Sequence, residues 1–176
     1  MIESIITSKT RIKILLKFFL NNKTQSYLRD LEREFGESSN AIRMELNHLV
    51  DAGLLKSEFI KNKKIFQANT GHPLYNEINS IIRKTVGIDK IVDRITSQIG
   101  DLESAYITGD FAKGRDSQII DLVLVGQNLD TAYISNLVAK AQELISRKIR
   151  YMVLTENQMD DFFNQKPSLL IWKADK

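Results

Sequence analysis

A turn of four residues between two amphipathic stripes constrains this chain more than any other feature of it. In "SYLRDLEREFG" the apolar positions Leu28, Leu31 and Phe35 share one helical face, Ser26 is placed to cap the start, and Gly36 ends the run. In "ESSNAIRMELNHLVDAGLL" a second stripe passes through Ile42, Leu46, Leu49 and Val50, with Ser38 or Ser39 as its cap and Gly53 at its close. A link as short as "GESS" makes the second helix cross the first steeply and turn its polar side outward. That side carries Ser38, Ser39, Asn40, Arg43, Asn47 and, at its edge, His48. Arginine suits guanine edges, asparagine suits adenine edges, and both also donate to phosphate oxygens. His48 alone reads as a surface residue rather than a metal ligand.

The flanking segments extend this pattern. Upstream, "SKTRIKILLKFFLN" sets Ile12, Leu15, Leu16 and Phe19 on one helical face and Lys9, Arg11, Lys13 and Lys17 on the others, with Thr7 or Ser8 as cap. Downstream, "LLKSEFIKNKKIFQANT" reads as strands over 54–60 and 65–68 joined by "KNKK". Lys61, Lys63 and Lys64 at such a tip suit a phosphate clamp beside a groove-binding helix. For any one cation, a solvated surface is the plainer explanation. The ordered set is what points to a polyanion.

Residues 8–70 resemble a winged helix-turn-helix of the arsenical-resistance and multiple-antibiotic-resistance repressor families. The likeness is carried by "YLRDLEREFGESSNAIRMELNHLVDAGLLKSEFIKNKKIFQAN". It implies binding of double-stranded DNA in the major groove through the second helix, as a homodimer on half-sites. Winged helices also serve as protein-binding modules.

"TGHPLYNEINSIIRKTVGID" follows, with Pro73 in the first turn of a helix and a stripe of Leu74, Ile78, Ile81, Ile82 and Val86. It is too apolar for a flexible linker, and in the repressor families such flanking helices often form the dimer. "DKIVDRITSQIG" adds a short helix with Ile91, Ile95 and Ile99 on one face.

Strands and helices then alternate: 105–108 as a strand ending on Gly109, 119–125 as the next, an amphipathic helix through Ile134, Leu137, Val138, Ala141 and Ile145, a strand at "IRYMVLT", a short helix at "NQMDDFFNQ" and a last strand at "SLLIWK". The "TGDFAKG" turn and the acidic strand "IIDLVLVG" resemble the minimal nucleotidyltransferases of the DNA polymerase beta superfamily. In active members a Gly-Ser turn holds phosphates, and two acidic residues at i and i+2 of the strand converge on two magnesium ions. Here the pattern is broken. Gly109, Gly114 and Asp121 fit, but Asp110 stands for the serine and Ile119 for the first acid, and the strand at 149–154 offers Arg150 where a third carboxylate is expected. The resemblance therefore implies a degenerate shell with no catalytic residues, metal or cofactor. Asp116 is out of register, able at most to support a single weak metal site. Gly109, Lys113, Gly114, Arg115 and Asp121 remain as candidate anion or nucleotide contacts.

Composition fits this division. Hydrophobic content of 43% excludes wholesale disorder, and the absence of cysteine removes disulfides and zinc–thiolate sites. Residues 1–86 hold 14 basic and 9 acidic side chains, against 11 and 13 in 87–176, so the basic excess lies in front. The N-terminus lacks a signal-peptide pattern and no apolar run could span a membrane, so a cytoplasmic protein without membrane partners is expected. The sequence expectation is an α+β chain: a winged helix-turn-helix over 1–72, connecting helices over 73–100, and a degenerate α/β nucleotidyltransferase-like domain over 101–176. Its expected role is a transcriptional regulator of the kind met in bacteria, more a repressor than an activator, answering to a small-molecule or protein effector. The alternatives are a nucleotidyltransferase or an antitoxin-like protein-binding module.

Overall fold

The computed structural model describes residues 2–95, 99, 101–145, 147–164 and 166–174, without the side chain of Ile95. Among them are eight α-helices and two sheets. The chain divides into two compact units, Met1–Thr85 and Val86–Lys176. No helix among the described residues is long and apolar enough to cross a membrane.

In the first unit, a 3-10 turn at Ile2–Ser4 leads to α1 (Lys9–Phe19), β1 (Gln25–Tyr27), α2 (Leu28–Phe35), α3 (Ser39–Asp51), β2 (Leu55–Ile60), β3 (Lys63–Ala68) and all but the last residue of α4 (Tyr75–Val86). Ser8 caps α1 by accepting from the Arg11 N–H. That helix is buried almost all round: Ile14 and Phe18, outside the expected stripe, are fully enclosed with Leu15, Leu16 and Phe19. Lys17, expected on an outer face, is 6% exposed and paired with Glu34 at 2.8 Å. A buried ammonium needs such a partner.

Gly36 ends α2 at φ +63, and Ser38 starts α3 by accepting from the Ala41 N–H. The short turn thus uses one left-handed residue and one cap. Ser26 does not cap α2. It is buried in β1 opposite Phe66, and Tyr27 holds the cap position without a side-chain bond. Pairing with a distant strand has overridden the local capping preference. The sheet has the order β1-β3-β2, all antiparallel. Its hairpin is tighter than expected, because Lys61 and Asn62 both take positive φ and Lys63 and Lys64 belong to β3. Two central residues at positive φ match the right-handed twist of the flanking strands.

The second unit contains α5 (Ile88–Ile95), β4 (Leu102–Thr108), the single turn α6 (Gly109–Ala112), β5 (Ile119–Gly126), α7 (Thr131–Glu143), β6 (Lys148–Leu154), α8 (Glu156–Phe163) and β7 (Leu169–Lys173). Ile91 and Ile99 are buried, whereas the side chain of Ile95 and residues 96–98 lie outside the described set. The sheet order is β6-β5-β4-β7. Only β5 and β6 run parallel, joined by α7, so the sheet is mixed rather than a regular parallel α/β array. Asp130 caps α7 through the Ala132 and Tyr133 N–H groups, and Ile134, Leu137, Val138 and Ala141 form its buried face.

Candidate functional site

Two surfaces carry the residues singled out by sequence. The first is the outer side of α3 with the β2–β3 hairpin, against which α3 packs. Ile42, Leu46 and Leu49 anchor α3 inward at full or near-full burial. Helical periodicity then sends Asn40, Arg43 and Asn47 to solvent, and all three are exposed, with Ser39 half-buried at the head of the row. Arg43 Nη2 reaches Ser39 Oγ at 3.5 Å. Met44, 52% exposed, sits in the same row and went unnoticed in the sequence. Its apolar side chain on an outward face was the available signal. Lys61 and Lys63 are exposed at the hairpin tip, while Lys64 lays its ammonium 5.4 Å from the centre of the Phe66 ring.

Behind this row, Glu45 joins α3 to α1. It accepts from Ser8 Oγ at 2.6 Å and Arg11 Nε at 2.7 Å. Burial works against ionisation of Glu45, but the Ser8 and Arg11 hydrogen bonds and the Arg11 charge outweigh it and hold the carboxyl below its ordinary value. Lys13 likewise bonds Glu37 at 2.8 Å. Much of the basic character of α1 is therefore engaged inside the unit.

The second surface is the Gly109 turn. Gly109 has φ +66, and a Cβ there would collide with Asp121 Oδ2. Glycine is needed for both reasons. Asp121 faces Thr108 on β4 and Arg150 on β6 in register. Arg150 closes on it, with Nη2 2.7 Å and Nε 2.8 Å from Oδ1. Asp116 is also paired: Arg147 Nη2 lies 2.8 Å from its Oδ1. The same guanidinium donates from Nε to the Ser117 carbonyl at 3.0 Å and lies over the Phe111 ring. Arg147 was not singled out by sequence, since its partners lie some thirty residues upstream.

The loop after α6 folds back on itself. The Lys113 and Arg115 N–H groups donate to the Asp110 carbonyl at 3.0 and 2.9 Å, and the Gly114 N–H to the Phe111 carbonyl at 3.0 Å. Backbone donors of the kind that cradle a phosphate are thus directed inward, while the Lys113 and Arg115 side chains are exposed. The donor set does not fit the two magnesium ions that active nucleotidyltransferases hold. Ile119 supplies no ligand, and the carboxylates of Asp121 and Asp116 each face an arginine. Among the described residues, no group of three or more acidic or histidine side chains gathers into a metal site.

No family model and no curated protein matches the chain. Among solved structures it is similar to a toxin–antitoxin assembly with AMP-PNP, at 15% identity and a TM-score of 0.41, over 49% of this chain and 73% of that one. It is also similar to a candidate nucleotidyltransferase from Sulfolobus solfataricus, at 26% identity and a TM-score of 0.40, over 61% of this chain and 96% of that one.

Proposed function

We propose that this chain is a DNA-binding regulator whose first unit is a winged helix-turn-helix and whose second is a nucleotidyltransferase-like shell without catalysis. The observation that carries the reading is the exposed row Asn40, Arg43 and Asn47 on α3, packed beside a hairpin tipped by lysines. A helix with a polar outer row can lie in the major groove while a basic ribbon meets the adjoining backbone. A homodimer on paired half-sites is the expected working form, with repression as the mode of action. An effector would act by binding the DNA-competent and incompetent states unequally. The second unit then supplies dimer surface, ligand contacts or a docking face, with the Asp121 carboxylate paired to Arg150.

The second reading is a nucleotidyltransferase or an antitoxin-like module that caps another protein. What favours it is the retained turn, in which Gly109 still gives way to Asp121. An antitoxin that binds its own operator would satisfy both readings at once.

The deciding experiment is binding to labelled DNA from the gene's own upstream region, compared with random DNA and titrated across salt. Excess affinity for the upstream fragment with a steep salt slope supports the regulator. Equal, weak binding to both would overturn it, and magnesium-dependent transfer from labelled nucleotide would then establish the enzyme.

A further inference from the structure

The tip of the β2–β3 hairpin holds an aromatic side chain that the fold does not use. Strand alternation places Leu55, Ser57 and Phe59 on one face, opposite Ala68, Phe66 and Lys64. At the base of this face Leu55, Phe66 and Ala68 are 2%, 4% and 5% exposed. Further out, the same face emerges from the core and Phe59 is 74% exposed. Ile60, on the opposite face, is 41% exposed. The natural cover for Phe59 is its cross-strand partner Lys64, but that ammonium sits over Phe66 instead. A tight turn at Lys61 and Asn62 makes no demand for an aromatic residue beside it. Lys61, Lys63 and Lys64 surround the tip, Lys56 lies near the base of the hairpin opposite Gln67, and Glu58 is the one carboxylate between 55 and 68.

We propose that Phe59 is a wedge that enters the minor groove of bound duplex DNA and unstacks a base step, while the flanking lysines neutralise the phosphates on either side. The proposal rests on the DNA-binding reading above. Apolar side chains inserted from the minor groove unstack bases in this way, and the enlarged contact with the bent duplex offsets the unstacking cost. Phe59 and Ile60 leave opposite faces of the hairpin, so a single aromatic ring projects from the Phe59 face of the tip. A lipid surface would instead favour a continuous apolar face, which this tip lacks.

The test uses the full chain, a duplex from the upstream region carrying 2-aminopurine at successive steps, and fluorophores at its ends for bending. The wild type should raise 2-aminopurine fluorescence at one step and bring the duplex ends closer. Phe59→Ala should abolish both signals and weaken binding by about tenfold, the order of one lost base–aromatic stack, while keeping the salt slope. Phe59→Leu should retain part of each signal. Because the residue is exposed, thermal melts of the variants should match the wild type. A Phe59→Ala protein with unchanged fluorescence and affinity would overturn the wedge and leave DNA binding standing. A wild type that binds no duplex would remove the wedge and the DNA reading together. Loss of binding to phosphatidylglycerol vesicles in Phe59→Ala, with DNA binding unaltered, would overturn the wedge in favour of a membrane contact.

Discussion

Arg150 and Asp121 face one another in register on the parallel strands β6 and β5, with Nη2 of the arginine 2.7 Å from Oδ1 of the aspartate. The arginine side chain is 67% exposed, so an ion pair of this kind contributes little to stability, of order 0–1 kcal/mol. Its consequence is electrostatic. A positive charge lies against the Asp121 carboxylate, on the strand where the sequence resemblance leads one to expect a further acid.

Under the proposed reading of the second unit as a degenerate nucleotidyltransferase shell, changing two residues should build a cation site. Ile119 and Asp121 share a face of β5, and Arg150 is the register partner of Asp121. Ile119→Asp combined with Arg150→Asp would bring three carboxylates together. Calorimetric titration with Mn²⁺ should show at least about a tenfold gain in affinity over the wild type, since hard divalent cations require several oxygen ligands. Equal affinity in both proteins would show that the strands do not converge as described.

Gly109→Ala should destabilise the second unit. The substitution meets a positive φ, costing about 1 kcal/mol, and then collides with Asp121 Oδ2. A loss of about 1–3 kcal/mol is expected in urea unfolding. Pairing it with Asp121→Ala removes the collision but not the backbone strain, so the double variant should lose less than the sum of the single ones. Strict additivity would place Gly109 away from the carboxylate.

Features set by neighbours in the chain were legible in the sequence. The turn at 36–39 follows from one glycine and one serine, and the outward row of α3 from its period. What sequence misplaced depends on distant partners. Ser26 looks like a cap, but its backbone pairs with Phe66 some forty residues on. Lys17 reads as a surface charge, but Glu34 on α2 draws it inside. The hairpin turn closed on two residues because Lys61 and Asn62 accept positive φ, which a run of four polar residues does not reveal. The pairing of Asp121 left one trace, an arginine on the strand where an acid was expected. The clamp of Arg147 on Asp116 left none.

Glu45 predicts a pH dependence for the first unit. Its carboxyl titrates below its ordinary value of 4.5 in the folded chain, so the folded state favours the ionised form. The resulting stability is complete above the unfolded value and is lost as pH falls through the lower folded value. Glu45→Gln keeps the shape but removes the charge opposite Arg11. Thermal melts should show the variant less stable than the wild type at pH 6, by an amount on the order of 1–3 kcal/mol for a charged hydrogen bond. The gap should narrow at acid pH, where wild-type Glu45 is also protonated. A gap independent of pH would assign the effect to packing.

Arg43 and the tip lysines should fail in different ways if the first unit binds DNA. Arg43 stands exposed in the α3 row and can reach a base edge, so Arg43→Ala should cost about 1–3 kcal/mol on the upstream sequence and almost nothing on random DNA. Under the same reading, the tip lysines Lys63 and Lys64 contact phosphates. Replacing both with alanine should weaken binding to every sequence alike and reduce the salt slope by about 2, one for each lost contact. Fluorescence anisotropy across a salt series reads both effects. Equal loss on specific and random DNA for Arg43→Ala would move base recognition elsewhere on α3, with Asn40 and Asn47 next to test, and unchanged binding in both variants would mean that another surface meets the DNA.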